Sequence, residues 1–157
     1  MNTRADIDCC GPRGLGGWSP PDRPADTPVK RLADRIVPRN GAASLLFFAG
    51  VVALLVVAPT LPTRGELAVV AVAAALAGGW CAVNFWRCRH AHCVVSGAGW
   101  LALAAFILVE VVIGRSVIAG QEQLLFLGVL VASLVFEFGW YAARGTNAVV
   151  RQADERR

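Results

Sequence analysis

A chain of 157 residues with 56% hydrophobic and 17% charged side chains carries too little charge to clothe a soluble domain of that size. Its mean hydropathy of +0.56 points to a bilayer. The net charge of +4 does not imply nucleic acid, because the arginines flank apolar runs and form no continuous basic face.

The first forty residues are rich in Pro, Gly, Asp and Arg, and GPRGLGGWSPPDRPADTP is not a stretch that builds a core. It shows no signal-peptide apolar region, so no cleavage is expected. Near its end Asp26 and Thr27 can cap a short helix with Pro28 at its first position. Val29, Leu32, Ala33 and Ile36 then share a face, with Lys30, Arg31 and Arg35 elsewhere. Residues 28–37 therefore read as a basic amphipathic helix on an anionic leaflet, or as part of a disordered basic tail.

Four apolar runs follow, at 42–58, 67–86, 97–114 and 124–143. Each approaches the roughly 17–25 residues that cross about 30 Å of hydrocarbon. Short connectors make successive helices antiparallel neighbours, so the expected fold is an all-α integral membrane protein with four transmembrane helices in an up-down bundle. Ala71, Ala75 and Gly79 recur every four residues, as do Ala74 and Gly78, and small residues so spaced favour close helix packing. Such faces permit a homo-oligomer as readily as a monomer. Trp80, Trp86, Trp100, Trp140 and Tyr141 lie near run ends, where aromatic belts form.

Basic residues set the expected orientation. Lys30, Arg31, Arg35 and Arg39 precede the first run, Arg87 and Arg89 lie in the second connector, and Arg144, Arg151, Arg156 and Arg157 follow the last run. The first and third connectors carry Arg64 and Arg115 alone. The positive-inside rule then places both termini (1–40 and 144–157) and the second connector in the cytoplasm, with the chain multi-pass in the inner (plasma) membrane.

That second connector, NFWRCRHAHCVVSGAGW from Asn84 to Trp100, concentrates the chemistry. Cys88, His90, His92 and Cys93 fall within six residues. On a reducing cytoplasmic face Cys88 and Cys93 are expected as free thiols. Thiolate and imidazole together suit soft or borderline ions such as Zn and Cu(I). Arg87 and Arg89 favour the thiolate form of Cys88, while Ser96 is the expected N-cap of the third helix, just after Cys93. If the second helix continues to Cys88, then Cys81, Asn84 and Cys88 share one face, a ladder from the membrane interior to its mouth. The bland alternative leaves the arginines and histidines as a topology signal and the cysteines as small packing residues. Cys9 and Cys10, adjacent in the tail, are either a vicinal thiol acceptor or passengers.

RCRHAHCVVSGAGW resembles an R-C-x-x-x-H-C-x-x-[ST]-G-x-x-[FW] signature of small four-helix prokaryotic membrane proteins. Arg87, Cys88, His92, Cys93, Ser96, Gly97 and Trp100 carry the match. In plan the chain is also similar to the membrane transport proteins of mercury-resistance operons. That resemblance implies capture of a soft ion, Hg(II) first, by Cys88 and Cys93 with His92 and His90, and inward passage by way of Cys81. Cys9 and Cys10, or a separate cytoplasmic thiol acceptor or reductase, would receive the ion. The chain departs from several such carriers in having no cysteine in the first run. Two other readings stand beside this one: a membrane thiol-disulfide redox protein, though the chain has no CxxC pair, and a non-catalytic accessory subunit of a membrane complex.

Asn84, Glu110 and Glu137 interrupt apolar runs, where ionisable groups are costly and often functional. The simplest expectation turns Glu110 toward Arg115 and Glu137 toward the boundary near Arg144. No Walker loop, GxSxG elbow or HExxH pair occurs, so no enzyme class is indicated. The topology is tested by fusing a reporter to the C-terminus. It is expected to report the cytoplasm, and activity confined to the outer side would overturn the orientation.

Overall fold

The computed structural model describes residues 28, 31, 32, 41–88, 90–145 and 149, with the backbone alone at 41, 87 and 88. Four helices account for nearly all of these: α1 Gly41–Val57, α2 Thr63–Cys88, α3 Ala91–Ile113 and α4 Glu122–Arg144. Each is long and apolar enough to cross a membrane, and no strand occurs among the described residues. Residues 28, 31 and 32 are helical and exposed. The rest of the expected amphipathic helix, Cys9, Cys10 and most of the C-terminal tail lie outside the described residues.

α1 ends because Pro59 has no amide hydrogen to continue the ladder. The chain tightens into the 3-10 turn Ala58–Thr60, and the Thr60 hydroxyl donates to the Val57 carbonyl at 2.7 Å, satisfying one of the helix's orphan acceptors. α3 ends at Gly114, whose φ of 79° is the left-handed conformation that glycine adopts without penalty. A Cβ at Gly114 would also fall 2.6 Å from Arg64 Nη2. The α2 arginine therefore lies against the α3 C-terminus, where a cation complements the helix dipole.

The most extensive packing is between α2 and α3. Leu67, Val70, Ala73, Ala74 and Ala77 are all buried. A Cβ on Gly78 would sit 2.9 Å from the Leu101 backbone nitrogen and 3.2 Å from the Gly97 carbonyl oxygen. The two backbones all but touch, which lipid-embedded helices need for dispersion contact in place of a hydrophobic driving force. Of the two small-residue stripes, only Ala74/Gly78 makes this contact throughout. Ala71 is buried but Ala75 is exposed, and Gly79 faces open space.

α4 is held against α3 by Trp100. Its ring stacks on Phe126 at 4.9 Å, and its indole N–H donates to the Phe126 carbonyl at 3.1 Å. Trp100 is thus an interior residue, 4% exposed, and not part of an aromatic belt. α1 joins through Phe47, stacked on Trp80 at 4.2 Å, and through Gln123 Nε2, which donates to the Leu55 carbonyl at 3.1 Å.

The helix limits differ most at the hinge. α3 begins at Ala91, with His90 in the extended N-cap position (ψ 144°), rather than at residue 97. Ser96 does not cap it. Its hydroxyl donates backward to the His92 carbonyl at 2.7 Å, the pattern serine adopts inside a membrane helix. The expected limit followed apolarity, whereas the backbone continues through polar His92 and Ser96 because a helix in lipid satisfies every peptide group internally. Gly78→Ala is expected to cost about 1–3 kcal/mol by forcing α2 and α3 apart. Gly79→Ala should be neutral or slightly stabilising, by up to about 1 kcal/mol from helix propensity. Unfolding of the two variants in detergent, side by side, checks the pair.

Candidate metal centre

Only residues 89 and 90 separate α2 from α3, so the hinge is a tight turn, and both its histidines are fixed by the start of α3. His90 precedes the helix with extended backbone, and His92 lies in its first turn. This difference in backbone turns the two imidazoles toward each other, with ring centroids 5.6 Å apart. The third member comes from α4. Glu137 Oε1 lies 2.9 Å from His92 Nδ1 and 3.9 Å from His90 Nδ1. One ligand atom from each of the three side chains falls within 4.8 Å of the others.

Burial makes this cluster different from a surface ion pair. The side chains of His90 and Glu137 are 9% and 10% exposed, and that of His92 is 26% exposed, so His92 forms the open side. His92 Nδ1 is itself buried and has no hydrogen-bond partner, although the carboxylate oxygen is only 2.9 Å away. The distance fits a contact, but the alignment does not fit N–H···O donation. His92 Nδ1 is therefore held to Glu137 by an ion-pair contact and not by an aligned hydrogen bond.

The spacing suits a metal ion. Tetrahedral zinc with bonds of about 2.0–2.2 Å to nitrogen and oxygen holds its donors about 3.3–3.5 Å apart, and the separations of 2.9 and 3.9 Å bracket that value. Two imidazoles and one carboxylate are a three-ligand set that leaves a fourth position open.

The remaining candidates divide by position. Cys93 is buried, with Sγ 3.3 Å from His92 Nε2, the ring edge away from Glu137. Cys81 is a buried cysteine on α2 outside any disulfide, and Asn84 is half-buried on the same helix. α2 does reach Cys88, which puts that residue in register with Cys81 and Asn84, but its side chain is outside the described set. Glu110 is fully buried at the opposite end of α3. One of its oxygens accepts the Val117 N–H and the other has no hydrogen-bond partner, while Arg115 is exposed. Glu122, which begins α4, is likewise buried with one unpartnered oxygen.

Glu137 meets the two hinge histidines and not Arg144. Arg144 lies instead over the Trp140 ring, 5.0 Å from its centroid. Glu137 was visible in the sequence as a polar interruption, but its partners were not. The available signal was depth: in antiparallel third and fourth helices, a carboxylate near the end of one is level with the start of the other.

Since the Trp100–Phe126 contact sets the position of α4 against α3, Trp100→Phe should retain ring burial and lose the indole hydrogen bond. The expected loss is about 1 kcal/mol of stability, readable by thermal unfolding in detergent. Compared with family models, curated proteins and solved structures, the chain finds no match in any of the three, so the function must be read from its own residues.

Proposed function

We propose that this is a multi-pass inner-membrane protein that binds a transition-metal ion at the hinge end of its helices and passes it across the bilayer, with both termini and the hinge in the cytoplasm. The ion is cargo. His90, His92 and Glu137 are its ligands, and the observation that carries the reading is that one ligand atom from each lies within 4.8 Å of the others at a largely buried position. An open fourth position suits an ion that must enter and leave.

Nitrogen and carboxylate donors favour borderline ions such as Zn(II). The resemblance in overall plan to mercury-resistance membrane proteins would favour Hg(II), for which Cys93 and Cys81 are the described thiols. Passage across the membrane is supported by Glu110 and Glu122, buried carboxyls at the far end with unpartnered oxygens, because such groups are costly in lipid unless a pathway uses them. The Cys93–His92 contact also fits a thiol-disulfide protein, in which a histidine activates the nucleophile. Metal binding is preferred because three donors converge.

The test is the metal content of purified, detergent-solubilised protein after exposure to Zn(II), Hg(II) or Cu(I), beside Glu137→Gln and His92→Ala. One Zn(II) per chain is expected in the wild type, with Zn(II) affinity at least about tenfold weaker in each variant, the usual result of removing a ligand or its support. Binding that is equal in all three proteins would sink the reading, provided the variants unfold at similar temperatures without metal. Metal uptake by expressing cells, with and without Glu137→Gln, then decides transport against simple binding.

A further inference from the structure

The two edges of the His92 ring face different chemistry. Nδ1 looks toward Glu137 Oε1 and His90, and Nε2 looks toward Cys93 Sγ. We infer that His92 serves two alternative ion seats, a nitrogen–oxygen seat with His90 and Glu137, and a nitrogen–sulfur seat with Cys93 that takes thiophilic d10 cations such as Cd(II) or Hg(II). This rests on the metal-binding reading above and specifies which ions the site accepts and where each sits.

Geometry supports the second seat. A tetrahedral ion bound by one imidazole at about 2.0 Å and one thiolate at about 2.3 Å spans about 3.5 Å between nitrogen and sulfur. The Nε2–Sγ separation is 3.3 Å, close to that zinc-like span, and the pair opens by a side-chain adjustment to admit a larger thiophilic ion. Cys93 is only 2% exposed, while His92 is 26% exposed on its side chain. An ion arriving from the hinge side therefore meets the imidazole before the thiol.

The seats exclude each other. A neutral imidazole that binds a metal through one nitrogen carries its proton on the other, so His92 cannot serve both at once. When Nε2 ligates, the ring proton sits on Nδ1, beside the Glu137 carboxylate at 2.9 Å. When Nδ1 ligates, the Nε2–H is left beside Cys93. Ligand softness then sorts the cargo: thiophilic ions go to the sulfur side, and borderline ions go to the carboxylate side.

The experiment uses the full chain carrying Cys9→Ser, Cys10→Ser and Cys88→Ser, so that Cys81 and Cys93 are the remaining thiols. Cd(II) should bind at one per chain with a near-ultraviolet thiolate-to-cadmium charge-transfer band, and Co(II) should bind at one per chain without a thiolate band. Cd(II) should displace Co(II) mole for mole. Adding Cys93→Ser should abolish the cadmium band and leave cobalt binding intact, which also shows that the variant is folded. Adding Glu137→Gln should weaken cobalt binding at least tenfold and keep the cadmium band. A cadmium band that survives Cys93→Ser, or simultaneous binding of one Cd(II) and one Co(II), would overturn the inference while leaving the metal-binding reading standing. Cadmium held through Cys93 with no cobalt bound would leave a single seat. That outcome would overturn the inference and remove the His90/His92/Glu137 site with it.

Discussion

A carboxylate inside an apolar membrane helix is the constraint on which this arrangement turns. Glu137 sits on α4 among Phe136, Phe138 and Val135, all exposed toward the surroundings, yet its own side chain is withdrawn from them. Removing a charge from water costs several kcal/mol even after local relaxation. The cost is offset only by groups that reach the carboxylate from another element. Two imidazoles do so here, from the turn that joins α2 to α3. The rest of the packing keeps these three groups within reach. The glycine contact at Gly78 and Gly97 holds α2 and α3 together just inside the turn. Trp100, clamped to the Phe126 carbonyl, sets how far α4 has slid along α3.

The two ends of the bundle are chemically unlike. The hinge end offers imidazole nitrogen, thiol sulfur and one carboxylate. The other end offers the carboxyls of Glu110 and Glu122, with the Arg64 guanidinium set against the end of α3. The carboxyls of Glu110 and Glu122 are thus roughly 22–27 Å along the helices from the hinge donors, at 1.5 Å per residue for His92 to Glu110 on α3 and Glu122 to Glu137 on α4. On the proposed function, a cation passing from one end to the other would exchange one kind of ligand for the other.

The spans were legible in the sequence because hydropathy over some twenty residues is a strong signal that depends on no tertiary contact. The presence of His90 and His92 at a helix junction was legible for the same reason. The partner of these histidines was not. Glu137 lies some forty-five residues further along the chain, and a lone glutamate in an apolar run carries no mark of what it faces. Trp100 was misplaced because belt residues and buried anchors are both tryptophans near run ends, and only the neighbouring Phe126 carbonyl distinguishes them. Ser96 looked like a cap because serine is favoured both before a helix and, back-bonded, within one. Of the two small-residue stripes, sequence periodicity gives equal weight to each, and the facing Gly97 decides between them.

The site straddles a helix boundary, and this couples recognition to local folding. His90 has extended backbone and His92 helical backbone, so the rings converge only while Ala91 begins α3. Unwinding the first turn would carry His92 and Cys93 away from Glu137 together. Nucleating a helical turn is entropically unfavourable, and anything that binds only the formed arrangement stabilises it by mass action. On the proposed function, an ion held between the imidazoles and the carboxylate would act as a clasp on the N-terminal turn of α3. Amide hydrogen exchange at Val94 and Val95, the first amides bonded within that turn, would register its arrival.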